Sequence, residues 1–108
     1  MDGREYQVLA ARTDKPNKKQ KDLVTNAALG ISGEAGEVAD HIKKYAFQGH
    51  MLSRESVAEE LGDILWYVAQ MCRGIGWDMN MVMEKNINKL KARYPDGFTE
   101  HASINRKE

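Results

Sequence analysis

Leu29-Gly30-Ile31-Ser32-Gly33-Glu34-Ala35-Gly36-Glu37-Val38-Ala39-Asp40 decides the fold of this 108-residue chain. Ile31, Ala35 and Val38 recur at steps of three and four, the spacing of one helix face, and Ile42 and Tyr45 extend the stripe. Alternation at period two, which would mark a half-buried strand, is missing here and over any useful length elsewhere. A helix is therefore expected from about Lys19 to Phe47, stopped by Gly49. Gly30, Gly33 and Gly36 each cost that helix about 1 kcal/mol relative to alanine. Close approach of a neighbouring helix is the expected compensation.

Three further helices are expected around it. A short one spans about Gly3 to Arg12, with Tyr6, Leu9 and Ala10 inward, and Thr13-Asp14-Lys15-Pro16-Asn17 breaks it. Another starts after the N-cap Ser53 and runs to about Arg73, with Val57, Leu61, Ile64, Leu65, Val68 and Cys72 as its stripe and Gly74 and Gly76 at its end. The last starts after Asp78 and reaches about Tyr94, burying Met79, Met83, Ile87 and Leu90. Pro95-Asp96-Gly97 then turns the chain into a polar tail over 98–108. Two long and two shorter helices with short connections predict an all-α, single-domain, antiparallel four-helix bundle protomer. A chain this small has a modest core, and a partner subunit is expected to complete it.

Composition narrows the function. Hydrophobic residues make up 42% and charged residues 30%, too apolar for a disordered chain. Sixteen basic residues balance sixteen acidic ones, which excludes a generally basic nucleic-acid binder but not a local charged site. No apolar run approaches the ~20 residues of a membrane span. The start of the chain is charged from Asp2 and lacks a secretory apolar core. A single cysteine, Cys72, forms no internal disulfide and fits a reducing cytoplasm.

Carboxylates on the two central helices carry the chemistry. Glu34 and Glu37 are spaced i, i+3, and so are Glu60 and Asp63; each pair stacks along its helix beside the apolar stripe. Two matched pairs on adjacent helices are expected to face each other. Four acids converging near a core repel one another and lose hydration, so cations must neutralise them. Hard oxygen ligands suit magnesium or manganese. A solvated charged surface is the alternative for one pair taken alone. The line through Glu34 and Glu37 continues to His41 and Lys44, and that through Glu60 and Asp63 to Tyr67. Asn86, Lys89 and Arg93 form one polar line on the last helix. Metals and cations around an acidic centre suit a phosphate-bearing substrate, whose negative charge they share. Lys89 and Arg93 also read as solubilising charge, Lys44 as a helix C-terminal charge and Tyr67 as core packing.

The run Leu29–Asp40, followed by Glu59-Glu60-Leu61-Gly62-Asp63-Ile64-Leu65-Trp66-Tyr67, resembles the MazG-like nucleoside triphosphate pyrophosphohydrolases of the all-α NTP pyrophosphatase superfamily. The likeness extends through Asn86-Ile87-Asn88-Lys89-Leu90 and Arg93-Tyr94-Pro95-Asp96-Gly97-Phe98. Where the family often has an additional glutamate this chain has Gly33, which leaves a set of four carboxylates. The resemblance implies that Glu34, Glu37, Glu60 and Asp63 hold magnesium, with manganese as a substitute. It implies Lys44, Asn86, Lys89 and Arg93 as substrate contacts. It also implies a homodimer or a dimer of dimers. The expected reaction is hydrolysis of a nucleoside triphosphate between its α and β phosphates, with Glu34 or Glu37 as proton acceptor and Tyr67 or Trp66 against the base or sugar. No membrane and no nucleic-acid polymer is expected as partner. Two other readings remain open: a di-iron or di-manganese carboxylate bundle, whose usual Glu-x-x-His pairs are missing here, and a non-catalytic oligomerisation module.

Overall fold

Side-chain caps begin four of the five helices in the computed structural model, which describes residues 1–106. These are α1 (Gly3–Ala11), α2 (Gln20–Phe47), α3 (Arg54–Ile75), α4 (Met79–Arg93) and α5 (Glu100–Ile104). Asp2, Ser53, Asp78 and Thr99 each accept a hydrogen bond from the backbone N–H three residues on, satisfying one of the amides a helix start leaves without a partner. Lys19 opens α2 without such a bond. The fold is all-helical, as expected, and the boundaries agree within two residues. Gly76, at φ 75°, ends α3 in the left-handed region that glycine adopts without strain. Gly74, expected as a stop, instead lies inside the helix and is buried. The polar tail carries α5, a single capped turn that its composition hid; residues 107–108 of that tail lie outside the described residues.

α2 and α3 form the backbone of the molecule as an antiparallel hairpin. Moving up α2 and down α3, Gln20 donates to the Gly74 carbonyl, Asn26 to Gln70, and His41 sits 3.9 Å from Glu60. Gly30 meets the Tyr67 ring so closely that a Cβ there would lie 2.3 Å from it. The expected compensation for glycine therefore holds at Gly30. Gly33 and Gly36 have open space around them in the single chain.

α1 and α4 pack against the C-terminal half of α3, around Ala69, Cys72 and Met79. Tyr6, Ala10, Val68 and Val82 close over that cluster. Leu9, expected inward, is 50% exposed, because α1 turns Gln7 to the core instead. Gln7 is satisfied there, donating to the Trp77 carbonyl and accepting from the Met79 amide. Met83, Ile87 and Leu90, the expected inner stripe of α4, stay partly or largely exposed. The chain is correspondingly open. Its radius of gyration is 16.9 Å, against about 13 Å for a compact domain of this length. Its accessible surface is 8154 Å², against about 6,000 Å² for a folded monomer of this mass. No described helix is long and apolar enough to cross a membrane.

Candidate metal centre and nucleotide cleft

The antiparallel register of α2 and α3 brings Glu34 opposite Glu60 and Asp63. Among the described residues these three offer carboxylate oxygens that all lie within 4.8 Å of one another. Glu34 and Glu60 are half-buried and Asp63 is exposed. The hydrogen bond that Glu34 shares with Glu60, followed by lost hydration and the negative charge of Glu60, Asp63 and Glu37, pushes the Glu34 carboxyl up from 4.5 to about 7. Near neutral pH and without a cation, the cluster is thus partly protonated, which relieves some of its repulsion.

Glu37 stands apart from this trio. It is exposed, and it acts on Glu34 and Lys44 through its charge. Lys44 is held by Asp40, with Nζ 2.9 Å from Oδ2, and that bond together with the negative charge around it raises the Lys44 pKa. His41, on the line that continues from Glu34 and Glu37, lies beside Glu60 at 3.9 Å.

A cleft of about 390 Å³ opens beside the carboxylates, lined by Thr13, Glu34, Asp63, Trp66 and Tyr67. That volume falls in the range of small-molecule sites. Trp66 and Tyr67 meet edge to face, with ring centroids 5.1 Å apart and planes at 86°. Tyr67 rests on Gly30, so the ring supports the cleft and packs the hairpin at once. Thr13 was missed by sequence reading, which saw only a helix-breaking stretch; no local pattern links it to Trp66, 53 residues away.

The α4 candidates lie elsewhere in the single chain. Asn86 and Lys89 line a separate groove with Ile75, Trp77, Val82 and Lys85, and Arg93 sits half-buried at the end of α4. None of the three lines the acidic cleft.

Three converging hard oxygen donors fit a small divalent cation. Magnesium takes carboxylate and phosphate oxygens, the donor type this trio offers. The repulsion held in the cluster favours the ion further. An acidic pocket beside an aromatic wall, once a divalent cation offsets its charge, would suit a ligand with a phosphate chain and a flat base.

Comparison with known proteins agrees. "Gene 37 protein" of Mycobacterium phage L5 is 34% identical over 82 residues, which cover 72% of this chain and 72% of that protein. No solved structure gives a significant match. Residues 24–98 match the family model of the MazG nucleotide pyrophosphohydrolase domain, a span that takes in both acidic pairs, Tyr67 and all of α4, and the chain belongs to that family.

Proposed function

We propose that this protein is a magnesium-dependent hydrolase that cuts a nucleoside triphosphate between the α and β phosphates, giving a nucleoside monophosphate and pyrophosphate. The observation that carries this reading is the meeting of Glu34, Glu60 and Asp63 at one point beside the cleft. Glu37, one turn along α2, would be the fourth carboxylate to hold the cation. Bound there, magnesium supplies positive charge to the phosphate chain and acidifies coordinated water. Glu34 takes the proton of the attacking water. Tyr67 and Trp66 flank the base or sugar, and Lys44 offsets charge on the leaving pyrophosphate. Manganese replaces magnesium in the same oxygen set. The role that fits is cytoplasmic clearance of unwanted nucleotides from the pool. A neutral total charge gives no support to a nucleic-acid polymer as substrate.

The test is a panel of nucleoside di- and triphosphates incubated with magnesium in ¹⁸O-labelled water. Expected products are pyrophosphate and a monophosphate carrying the label, as attack at the α-phosphorus requires. Release of orthophosphate and a diphosphate would refute the bond assignment.

A homodimer, alone or paired into a tetramer, completes the bundle in this reading. Leu61 and Leu65 are 49% and 48% exposed, and each lies about 160° around α3 from Asp63. These two side chains form an apolar strip on α3 directed away from Asp63. The excess of about 2,000 Å² of accessible surface over a compact monomer is of the size a stable subunit interface buries. A second copy also brings α4 of one chain, with Asn86, Lys89 and Arg93, within reach of the other chain's phosphates. Sedimentation velocity checks the assembly: the native chain should run well above 12.2 kDa, and Leu65→Lys should shift it towards the single-chain mass. A native protein that sediments as a monomer removes this part of the reading.

A further inference from the structure

Residues 1–23 precede the matched family domain, yet one of them forms part of the cleft. We propose that Thr13 is a positioning residue for nucleotide binding, holding the Trp66 indole as an aromatic wall beside the carboxylates. This inference rests on the hydrolase reading above and deepens it by locating what grips the base.

The chain of contacts is continuous. Asp14 reaches down onto α3, with its side chain only 3% exposed. Its Oδ2 accepts from Gln70 Nε2 at 2.7 Å and from the Arg73 guanidinium. Its Oδ1 accepts from Lys18 Nζ at 2.7 Å and from the Lys15 amide at 2.8 Å. Gln70 and Arg73 follow Trp66 at helical spacing, on the same side of α3. Anchoring Asp14 there therefore sets its neighbour, Thr13, over Trp66.

Thr13 Oγ1 donates to the Ala10 carbonyl at 2.7 Å and accepts from Trp66 Nε1 at 2.7 Å. An indole N–H has one direction in which to donate, so this bond determines how the ring stands. The Thr13 hydroxyl has spent its only proton on Ala10 and has none to offer a ligand. Its influence on a nucleotide thus passes through Trp66. Tyr67 packs edge to face against the same ring, with centroids 5.1 Å apart. A flat ring, fixed in direction next to a phosphate-binding centre, is what stacking on a base requires.

The experiment compares Thr13→Val, which keeps the shape and loses the hydroxyl, with Thr13→Ser, which keeps the hydroxyl. In Thr13→Val, KM for the triphosphate should rise about tenfold, as expected for one lost hydrogen bond, with kcat within about threefold. Thr13→Ser should match the native enzyme. In heteronuclear NMR the Trp66 indole signal, identified by its loss in Trp66→Phe, should move upfield in Thr13→Val and exchange faster with solvent. An unchanged KM, or a fall in kcat at constant KM, overturns the proposal. So does an indole signal that stays in place. If the native protein cleaves no triphosphate, the hydrolase reading fails separately. The proposal is then judged by quenching of tryptophan fluorescence by ATP, dATP, CTP and dCTP, in the native protein and in Trp66→Phe. Quenching that is lost in Trp66→Phe and weakened in Thr13→Val upholds it; quenching absent in the native protein or retained in both variants overturns it.

Discussion

Asp63→Asn should lose pyrophosphate release by about a thousandfold or more while its helical circular dichroism stays native. The substitution keeps the side-chain shape and deletes one of three converging negative charges. Electrostatic groups aimed at a reacting phosphate contribute factors of about a hundred to a thousand singly, and loss of an ion's ligand removes the ion's contribution as well. Glu34→Gln should be similarly inactive, and it should also change metal-free stability. The Glu34 carboxyl has a pKa of about 7 in the folded chain against an ordinary 4.5. Between those values the folded state holds a proton that the unfolded chain has released. Metal-free protein should therefore lose stability as pH rises from about 4.5 through 7. Glu34→Gln should flatten that slope and melt higher than the native chain at pH 8 in EDTA. Magnesium should remove the native chain's disadvantage, because it takes the proton's place. Thermal melts at pH 5 and pH 8, with and without magnesium, measure all of this. Full activity in Asp63→Asn would sink the site assignment.

Asp14→Ala should lower stability by about 3 kcal/mol, or on the order of 10 °C in Tm. Removing this carboxylate leaves Gln70, Arg73 and Lys18 facing a site with no acceptor. Gln70 is 1% exposed, and its amide also accepts from Asn26, so it cannot turn to water without breaking the hairpin contact. Arg73 and Lys18 keep partial access to solvent, which places the cost at the low end for a broken buried pair. Acid dependence gives a second measure. Burial alone would raise the Asp14 pKa, but its bonds to Lys18, Gln70, the Lys15 amide and Arg73 outweigh that and hold it at about 2, below the ordinary 3.8. Its contribution is complete above about 3.8 and is lost as pH falls towards 2. Native protein should lose more stability than Asp14→Asn over that window in urea titrations. Equal slopes would show that this network does not hold the loop to α3.

Local pattern was enough to recover α1 to α4 and two of the caps. Ser53 and Asp78 were legible as N-caps because capping depends on neighbours three residues away. The paired acids were legible because the i, i+3 rule acts within each helix. Leu9, Met83 and Ile87 were misplaced inward, since an apolar stripe tells which face seeks burial and not whether this chain alone can cover it. The Thr13–Trp66 bond had no signal, as neither residue is unusual in its own segment.

By itself, then, the amino-acid order determined an all-α chain, its break points, and the two helices that carry the acids, because propensity, capping and periodicity act over three or four residues. Only the tertiary structure decided that Glu34, Glu60 and Asp63 meet while Glu37 stands outside, that Asp14 bolts the first loop to α3, and that Thr13 bonds the Trp66 indole beside the cleft. Those outcomes depend on the register between α2 and α3 and on the path of the loop between α1 and α2, which are set by packing between residues tens of positions apart.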